Sequence, residues 1–178
     1  IIVVNAPDGN TVAASEHTIA LLTSMARNIP QAVKSLKDKK WERSKFLGVE
    51  LNGKILGVVG LGRIGKDVAK KAIGLGMNIL GYDPYIIKDR VENTNIKVTD
   101  LDTVLKESDF ITFHIPINDE TRHIIGEKQF SMMKDGVRII NCARGGIIDE
   151  SALYDALVSG KVAACALDVY EHEPPLES

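Results

Sequence analysis

The sequence predicts an α/β protein: a doubly wound parallel sheet with flanking helices. Three observations lead there. From Lys54 onward, short apolar runs alternate with amphipathic segments, the pattern of a parallel sheet covered on both faces. Six such runs are separated by crossovers long enough to hold helices. The chain has 178 residues, 44% hydrophobic and 26% charged, which suits one domain with a substantial core at roughly 100–200 residues per domain.

The first fifty residues stand apart from that alternation. Ile1-Ile2-Val3-Val4, without an initial methionine, reads as the middle of a strand, so a piece of a longer protein is expected. Asn5-Ala6-Pro7-Asp8-Gly9-Asn10 is turn chemistry, with proline setting φ and Asp-Gly accommodating a tight bend. Thr11 is the expected cap of a long helix reaching Asn28, whose apolar members Ala14, Thr18, Leu21, Leu22 and Met25 keep helical spacing and which stops before Pro30. Lys34–Lys45 holds five lysines and one arginine around Trp41, interrupted by Asp38 and Glu42. It reads as an arm or a solvated face.

The sheet is then expected from Ile55–Val59, Asn78–Tyr82, Ile96–Val98, Phe110–Phe113, Val137–Asn141 and Val162–Leu167. Between the first two strands, Ile64, Val68, Ala72 and Leu75 form an apolar helical stripe. Asp100 can cap a helix reaching Glu107, and Gly126 precedes another around Glu127–Met133. Asp149 or Ser151 starts a third, carried on Ala152, Leu153, Ala156 and Leu157 and closed by Gly160.

Charge and patterning exclude several classes. A formal net charge of −2 offers no basic excess for nucleic acid. The apolar runs fall far short of the about 20 residues that span a bilayer, and no signal-like start argues for secretion. Cys142 and Cys165 lie inside apolar runs and read as buried reduced thiols, which points to the cytoplasm. No metal site is expected.

The chemistry gathers at strand ends. Gly60-Leu61-Gly62-Arg63-Ile64-Gly65 follows the first strand and opens a helix: the first glycine makes the tight turn, the second admits a pyrophosphate to the backbone, and the third lets helix and strand pack closely. The helix N-terminus offers amides and a positive dipole end to the phosphates. Asp83, 18 residues past Gly65 at the end of the second strand, can accept both ribose hydroxyls of NAD and would repel the 2′-phosphate of NADP, or it caps the turn before Pro84. Beyond the later strands come His114-Ile115-Pro116, Cys142-Ala143-Arg144-Gly145-Gly146 and Asp168-Val169-Tyr170 through Glu173-Pro174. Arg144, followed by two glycines, projects a planar fork suited to a carboxylate, or makes a surface ion pair. Asp168 is placed for a nicotinamide carboxamide, or caps a loop.

Together, Gly60–Gly65 with Asp83, His114-Ile115-Pro116, Asn141–Gly146 and Leu167–Pro174 resemble the NAD-dependent D-2-hydroxyacid dehydrogenase family, and the likeness runs essentially end to end. Asn5–Thr11, Trp41-Glu42-Arg43 and Asn141–Gly146 resemble most the branch acting on a small phosphorylated 2-hydroxy acid. The resemblance implies a Rossmann-like NAD-binding domain over residues 1–178. It also implies a substrate domain built from both ends of a longer chain. It implies that Gly60, Gly62, Arg63, Ile64 and Gly65 hold the cofactor pyrophosphate and Asp83 the adenosine ribose. His114, Ile115 and Pro116 would line the cofactor cleft, with Cys142 and Ala143 beside the nicotinamide and Asp168 on its carboxamide. Arg144 matches the arginine that binds the substrate carboxylate and polarises its 2-oxygen, and it also borders the cofactor. Glu173 matches the carboxylate that hydrogen-bonds the catalytic histidine. Asn10 matches a substrate-binding asparagine, and Arg43 is expected to reach a neighbouring subunit's substrate. A homo-oligomer through the Thr11–Asn28 helix and the Trp41–Phe46 arm is implied as well.

One family feature has no counterpart. The acid–base histidine lies in a Pro-His-x-Gly segment downstream of the Glu-Pro motif, and no such segment occurs here. Of the four histidines, His114 belongs to the cofactor-cleft motif and His172 reads as a solvated loop residue. His17 on the long helix and His123 in a loop are expected to lie away from the strand ends. NAD binding without turnover is the expectation for this chain. Two alternatives stand beside it: a parent acting on glycerate, hydroxypyruvate or another D-2-hydroxy acid, and a nucleotide-sensing corepressor.

Overall fold

The computed structural model describes residue 4 and residues 9–86 and 94–175. Apart from Val4, which is exposed and in no regular element, the expected opening strand and the turn residues Asn5–Asp8 lie outside the described residues.

Six parallel strands form one sheet: β1 (Ile55–Val59), β2 (Asn78–Tyr82), β3 (Ile96–Val98), β4 (Phe110–Phe113), β5 (Val137–Asn141) and β6 (Val162–Leu167), in the order β3-β2-β1-β4-β5-β6. Each strand span is the one the apolar runs predict. The chain moves outward from β1 to β3, returns to pair β4 with the other side of β1, and moves outward again. The strand order therefore reverses between β1 and β4, where ligands of open α/β sheets bind beyond the carboxyl ends.

Register decides how those ends line up. Val59 pairs with Tyr82 and with Phe113, Phe113 with Asn141, and Asn141 with Leu167. Five strands thus finish level, and Asp83, Gly60, His114, Cys142 and Asp168 follow in a row along one edge. At a strand spacing of about 4.8 Å, that row is roughly 19 Å long.

Both faces of the sheet are covered. Along β1, Leu56 and Val58 point toward α1 (Thr11–Ala26) and α3 (Arg63–Gly74), where they meet Leu22, Met25, Val68 and Ala72. Val59 points the other way, into a cluster with Val104, Phe130 and Leu153 from α4 (Leu101–Glu107), α5 (Glu127–Met132) and α6 (Glu150–Val158). Asp100 and Asp149 cap α4 and α6, accepting from the amides of Thr103 and Ala152. Ser15 of α1 donates to Asp67 of α3 at 2.5 Å, and Lys71 bonds the same carboxylate, which lowers the Asp67 pKa.

Three expectations are corrected, and the Lys34–Lys45 stretch gains a helical start. Thr11 is the first helical residue of α1, and Asn10 holds the N-cap position without a side-chain cap bond. The helix does not reach Asn28. It ends at Ala26, because Asn28 adopts a left-handed φ of 54° and starts α2 (Ile29–Lys37). Pro30 sits in the first turn of α2, where a missing N–H costs nothing, so the proline that seemed to end one helix begins another. Lys34 and Lys37 belong to its last turn, where cations suit the dipole, and Arg43–Phe46 forms a short 3₁₀ turn. Finally, Leu75 lies past the end of α3 and is 39% exposed, while fully buried Ala69 completes the stripe. No helix among the described residues is long and apolar enough to cross a membrane.

Candidate functional site

At the centre of the carboxyl edge, the three glycines of the turn after β1 meet different surroundings. Gly60 has φ +98°, and a Cβ there would stand 2.5 Å from the His114 carbonyl oxygen. A Cβ on Gly65 would collide with the Gly60 carbonyl oxygen, so the start of α3 lies directly on the turn. Gly62 is the opposite case: a Cβ there would meet nothing within 4 Å. It stands at the N-cap of α3 with no side chain to cap the first turn, and Arg63, Ile64 and Gly65 follow. The space over Gly62 and the amides behind it suit a pyrophosphate.

Asp83 accepts from the Leu61 amide through Oδ2 and from the Tyr85 amide through Oδ1, both at 2.9 Å. The carboxylate ties the glycine turn to the loop after β2, and each oxygen keeps a lone pair for a further donor. His114 continues the ladder, donating to the Val59 carbonyl at 2.7 Å, and its Nε2 lies 3.1 Å from the Thr112 hydroxyl. Burial pushes the His114 pKa down to about 4, so its ring is neutral at pH 7. Ile115 packs on the core beside it, and Pro116 is exposed.

The loop after β5 is shaped by buried Asn141. Its Oδ1 accepts from the Ala143 amide and its Nδ2 donates to the Arg144 carbonyl, both at 3.0 Å. Arg144 is left exposed, its Nη1 donating to the Ala143 carbonyl at 2.6 Å. Cys142 is a free, half-buried thiol whose pKa burial raises. A Cβ on Gly145 would collide with the Tyr170 carbonyl oxygen, so the Arg144 loop lies against the segment after β6. There Glu173 accepts from the Tyr170 amide at 3.1 Å. Asp168 donates its amide to the Asn141 carbonyl at 3.0 Å. Asn10 lies seven residues before His17, about 10 Å along α1.

Two histidines depart from expectation. His17 Nε2 stands 3.3 Å from Asp168 Oδ1, and His123 Nε2 3.0 Å from Glu171 Oε1, so both meet the segment beyond β6. These pairs are 151 and 48 positions apart in the chain, and no periodicity marks them. Among the described residues, no histidine bonds Glu173.

Residues 19–178 match the family described as D-isomer specific 2-hydroxyacid dehydrogenase, NAD binding domain, and the chain belongs to it. NAD is accordingly its cofactor, and the open cradle over Gly62 fits that assignment. The chain is 58% identical over 175 residues to a D-3-phosphoglycerate dehydrogenase of Archaeoglobus fulgidus, covering 98% of this chain and 33% of that protein. It is 46% identical over 178 residues to a D-3-phosphoglycerate dehydrogenase of Bacillus subtilis, covering 100% of this chain and 34% of that one. Among solved structures, a glyoxylate reductase from Paecilomyes thermophila superposes with TM-score 0.90 at 40% identity, covering 96% of this chain and 52% of that one. A D-lactate dehydrogenase from Aquifex aeolicus, complexed with NAD and lactic acid, gives TM-score 0.85 at 40% identity, covering 90% and 48%. The chain thus spans about a third of the length of the first two relatives.

The glycine geometry separates binding from folding. Gly62→Ala should leave the melting temperature unchanged and weaken NADH binding at least tenfold by calorimetry, while Gly65→Ala should lower the melting temperature itself. The His114 ring predicts an acid-sensitive stability. Above pH 6.5 neither folded nor unfolded chain protonates it. Between 6.5 and about 4 only the unfolded chain does, so stability falls with pH by roughly 3 kcal/mol and then levels off. Urea titrations across this window should show the slope, and His114→Gln should flatten it. The lowered carboxylates, such as Asp67 and Asp109, act at lower pH, below their ordinary 3.8.

Proposed function

We propose that this chain is the NAD-binding domain, residues 1–178, of a D-3-phosphoglycerate dehydrogenase whose substrate domain is built by other parts of a longer chain. The whole protein would oxidise 3-phospho-D-glycerate to 3-phosphohydroxypyruvate in the cytoplasm, the first step of the phosphorylated route to L-serine. The observation that carries this reading is the contact of Gly145 with Tyr170, which brings the Arg144 and Glu173 loops together on the same sheet edge as the glycine turn. The phosphoglycerate dehydrogenase relatives support the choice of substrate.

NAD, when bound, supplies the acceptor for the hydrogen and two electrons that leave C2 of the substrate. Arg63 and Ile64 would meet its pyrophosphate at the start of α3, in the open space over Gly62, while the close packing of Gly60 and Gly65 holds the turn against the helix, and Asp83 would accept from its adenosine ribose. His114, Ile115 and Pro116 would wall the cleft, Cys142 and Ala143 would lie on the nicotinamide side, and Asp168 would orient the carboxamide. Arg144 binds the substrate carboxylate and stabilises charge developing on the 2-oxygen. Asn10 adds a substrate contact, and Arg43 serves a neighbouring subunit's substrate. Glu173 holds a histidine supplied by the rest of the protein and raises its pKa, and that histidine takes the hydroxyl proton. His17, His123 and His114 pair instead with Asp168, Glu171 and Thr112, which supports binding without turnover by the chain alone.

Calorimetry and kinetics test this together. The chain alone should bind NADH, prefer NAD to NADP, and turn over no 2-hydroxy acid. The full-length protein should favour 3-phosphoglycerate over glycerate, and Arg144→Gln should lower its kcat/KM by about 100-fold. Turnover by the chain alone would assign the proton to one of its own histidines. A preference for glycerate would favour a glycerate or hydroxypyruvate reductase, a reading that the similarity to the glyoxylate reductase keeps in play.

We also propose a homo-oligomer through the α1–α2 region and the Trp41 arm. Ile29, Val33 and Leu36 line one face of α2, and all three are 45–55% exposed beside Trp41 at 75%. Sedimentation should show a dimer or larger, reduced by Leu36→Glu. A wild type that stays monomeric at high concentration would end the proposal.

A further inference from the structure

The Arg144 loop and the Glu173 segment are joined by more than the glycine contact. His123 reaches both. Its amide donates to the Gly146 carbonyl at 2.7 Å, two residues from Arg144. Its ring Nε2 lies 3.0 Å from Glu171 Oε1, two residues from Glu173. Glu171 and Glu150 then close a reciprocal pair. The Glu171 carboxylate accepts from the Glu150 amide at 3.1 Å, and the Glu150 carboxylate accepts from the Glu171 amide at 2.7 Å. Glu150 opens α6, so the clasp is anchored on a helix. The backbone of His123 is left-handed, at φ +51°. Glycine adopts that conformation more readily, but it has no ring with which to reach Glu171.

We propose that His123 is a positioning residue. Through Glu171 and Glu150 it fixes the Arg144 loop relative to the Glu173 segment, so that the guanidinium meets the substrate carboxylate at a set distance from the proton-transfer site. The inference rests on the dehydrogenase reading above and adds to it a residue outside the reacting groups. The glycine turn and Asp83, which hold the other half of the cofactor, lie beyond the clasp. Loosening it should therefore act on the acid substrate, which Arg144 holds, far more than on NAD, which keeps its anchorage at the glycine turn and Asp83.

Steady-state kinetics of the full-length protein test this, with melting temperatures measured in parallel. His123→Gly keeps the backbone conformation and removes the ring. It should raise KM for the 2-hydroxy acid about tenfold while KM for NAD stays within about twofold. Glu171→Ala should do the same, the double variant should be no worse than either single one, and Glu171→Gln, which retains an acceptor oxygen, should restore most of the loss. An unchanged KM for the acid in both single variants would overturn the proposal. So would a loss shared equally by acid and NAD that tracks the melting temperature. A wild type that turns over no 2-hydroxy acid would overturn the dehydrogenase reading and this inference with it, and it is told apart from the other failures by the wild-type rate alone.

Discussion

The carboxyl edge depends on one constraint, the parallel register that ends β2, β1, β4, β5 and β6 at the same level. A strand slipped by one residue would turn its buried side chains to the opposite face and move its terminal loop by about 3.3 Å. Both faces resist such a slip. Leu56 and Val58 must meet α1 and α3 while Val59 meets α4–α6, so the two cores hold β1 from opposite sides. The level edge follows from apolar packing and determines which loops become neighbours.

Within that frame the site is set by close backbone approaches more than by side-chain bulk. Gly65 lies on Gly60, Gly60 on His114, and Gly145 on Tyr170, each at a separation that a Cβ would break. Polar side chains then tie loop to loop: Asp83 to the Leu61 amide, Asn141 across residues 143 and 144, and Glu171 to α6. Most of these ties end on backbone amides or carbonyls, so the exposed Arg144 is held through its main chain while its guanidinium stays open to a ligand. The same economy applies to Asp83, which steadies the glycine turn and still keeps acceptor capacity.

Much of the sheet was legible in one dimension because the buried strands β1, β4 and β5 leave compact apolar runs and a crossover helix such as α3 leaves a stripe of period 3.6. The glycine turn and Asp83 were legible because the three glycines and the acid stand at short, fixed spacing in the chain. The first fifty residues were less so. Pro30 ends a helix in most contexts and begins one here, and the choice depends on Asn28 adopting a left-handed turn. The Lys34–Lys45 stretch read as an arm or a solvated face, and its lysines are exposed, but the charge drew attention away from the apolar face of Ile29, Val33 and Leu36.

The sequence by itself determined the fold class, the six strand spans, the glycine turn and the strand-end residues available for chemistry, since all of these rest on local patterns or on short spacings. Only the tertiary structure decided which strand ends stand level. It also decided that Arg144 and Glu173 occupy touching loops, and that His17 and His123 face Asp168 and Glu171. Those meetings join residues from 25 to 151 positions apart, brought together by the order and register of the sheet. No local preference of either partner records them, because a hydrogen bond between distant loops leaves no periodicity in the chain.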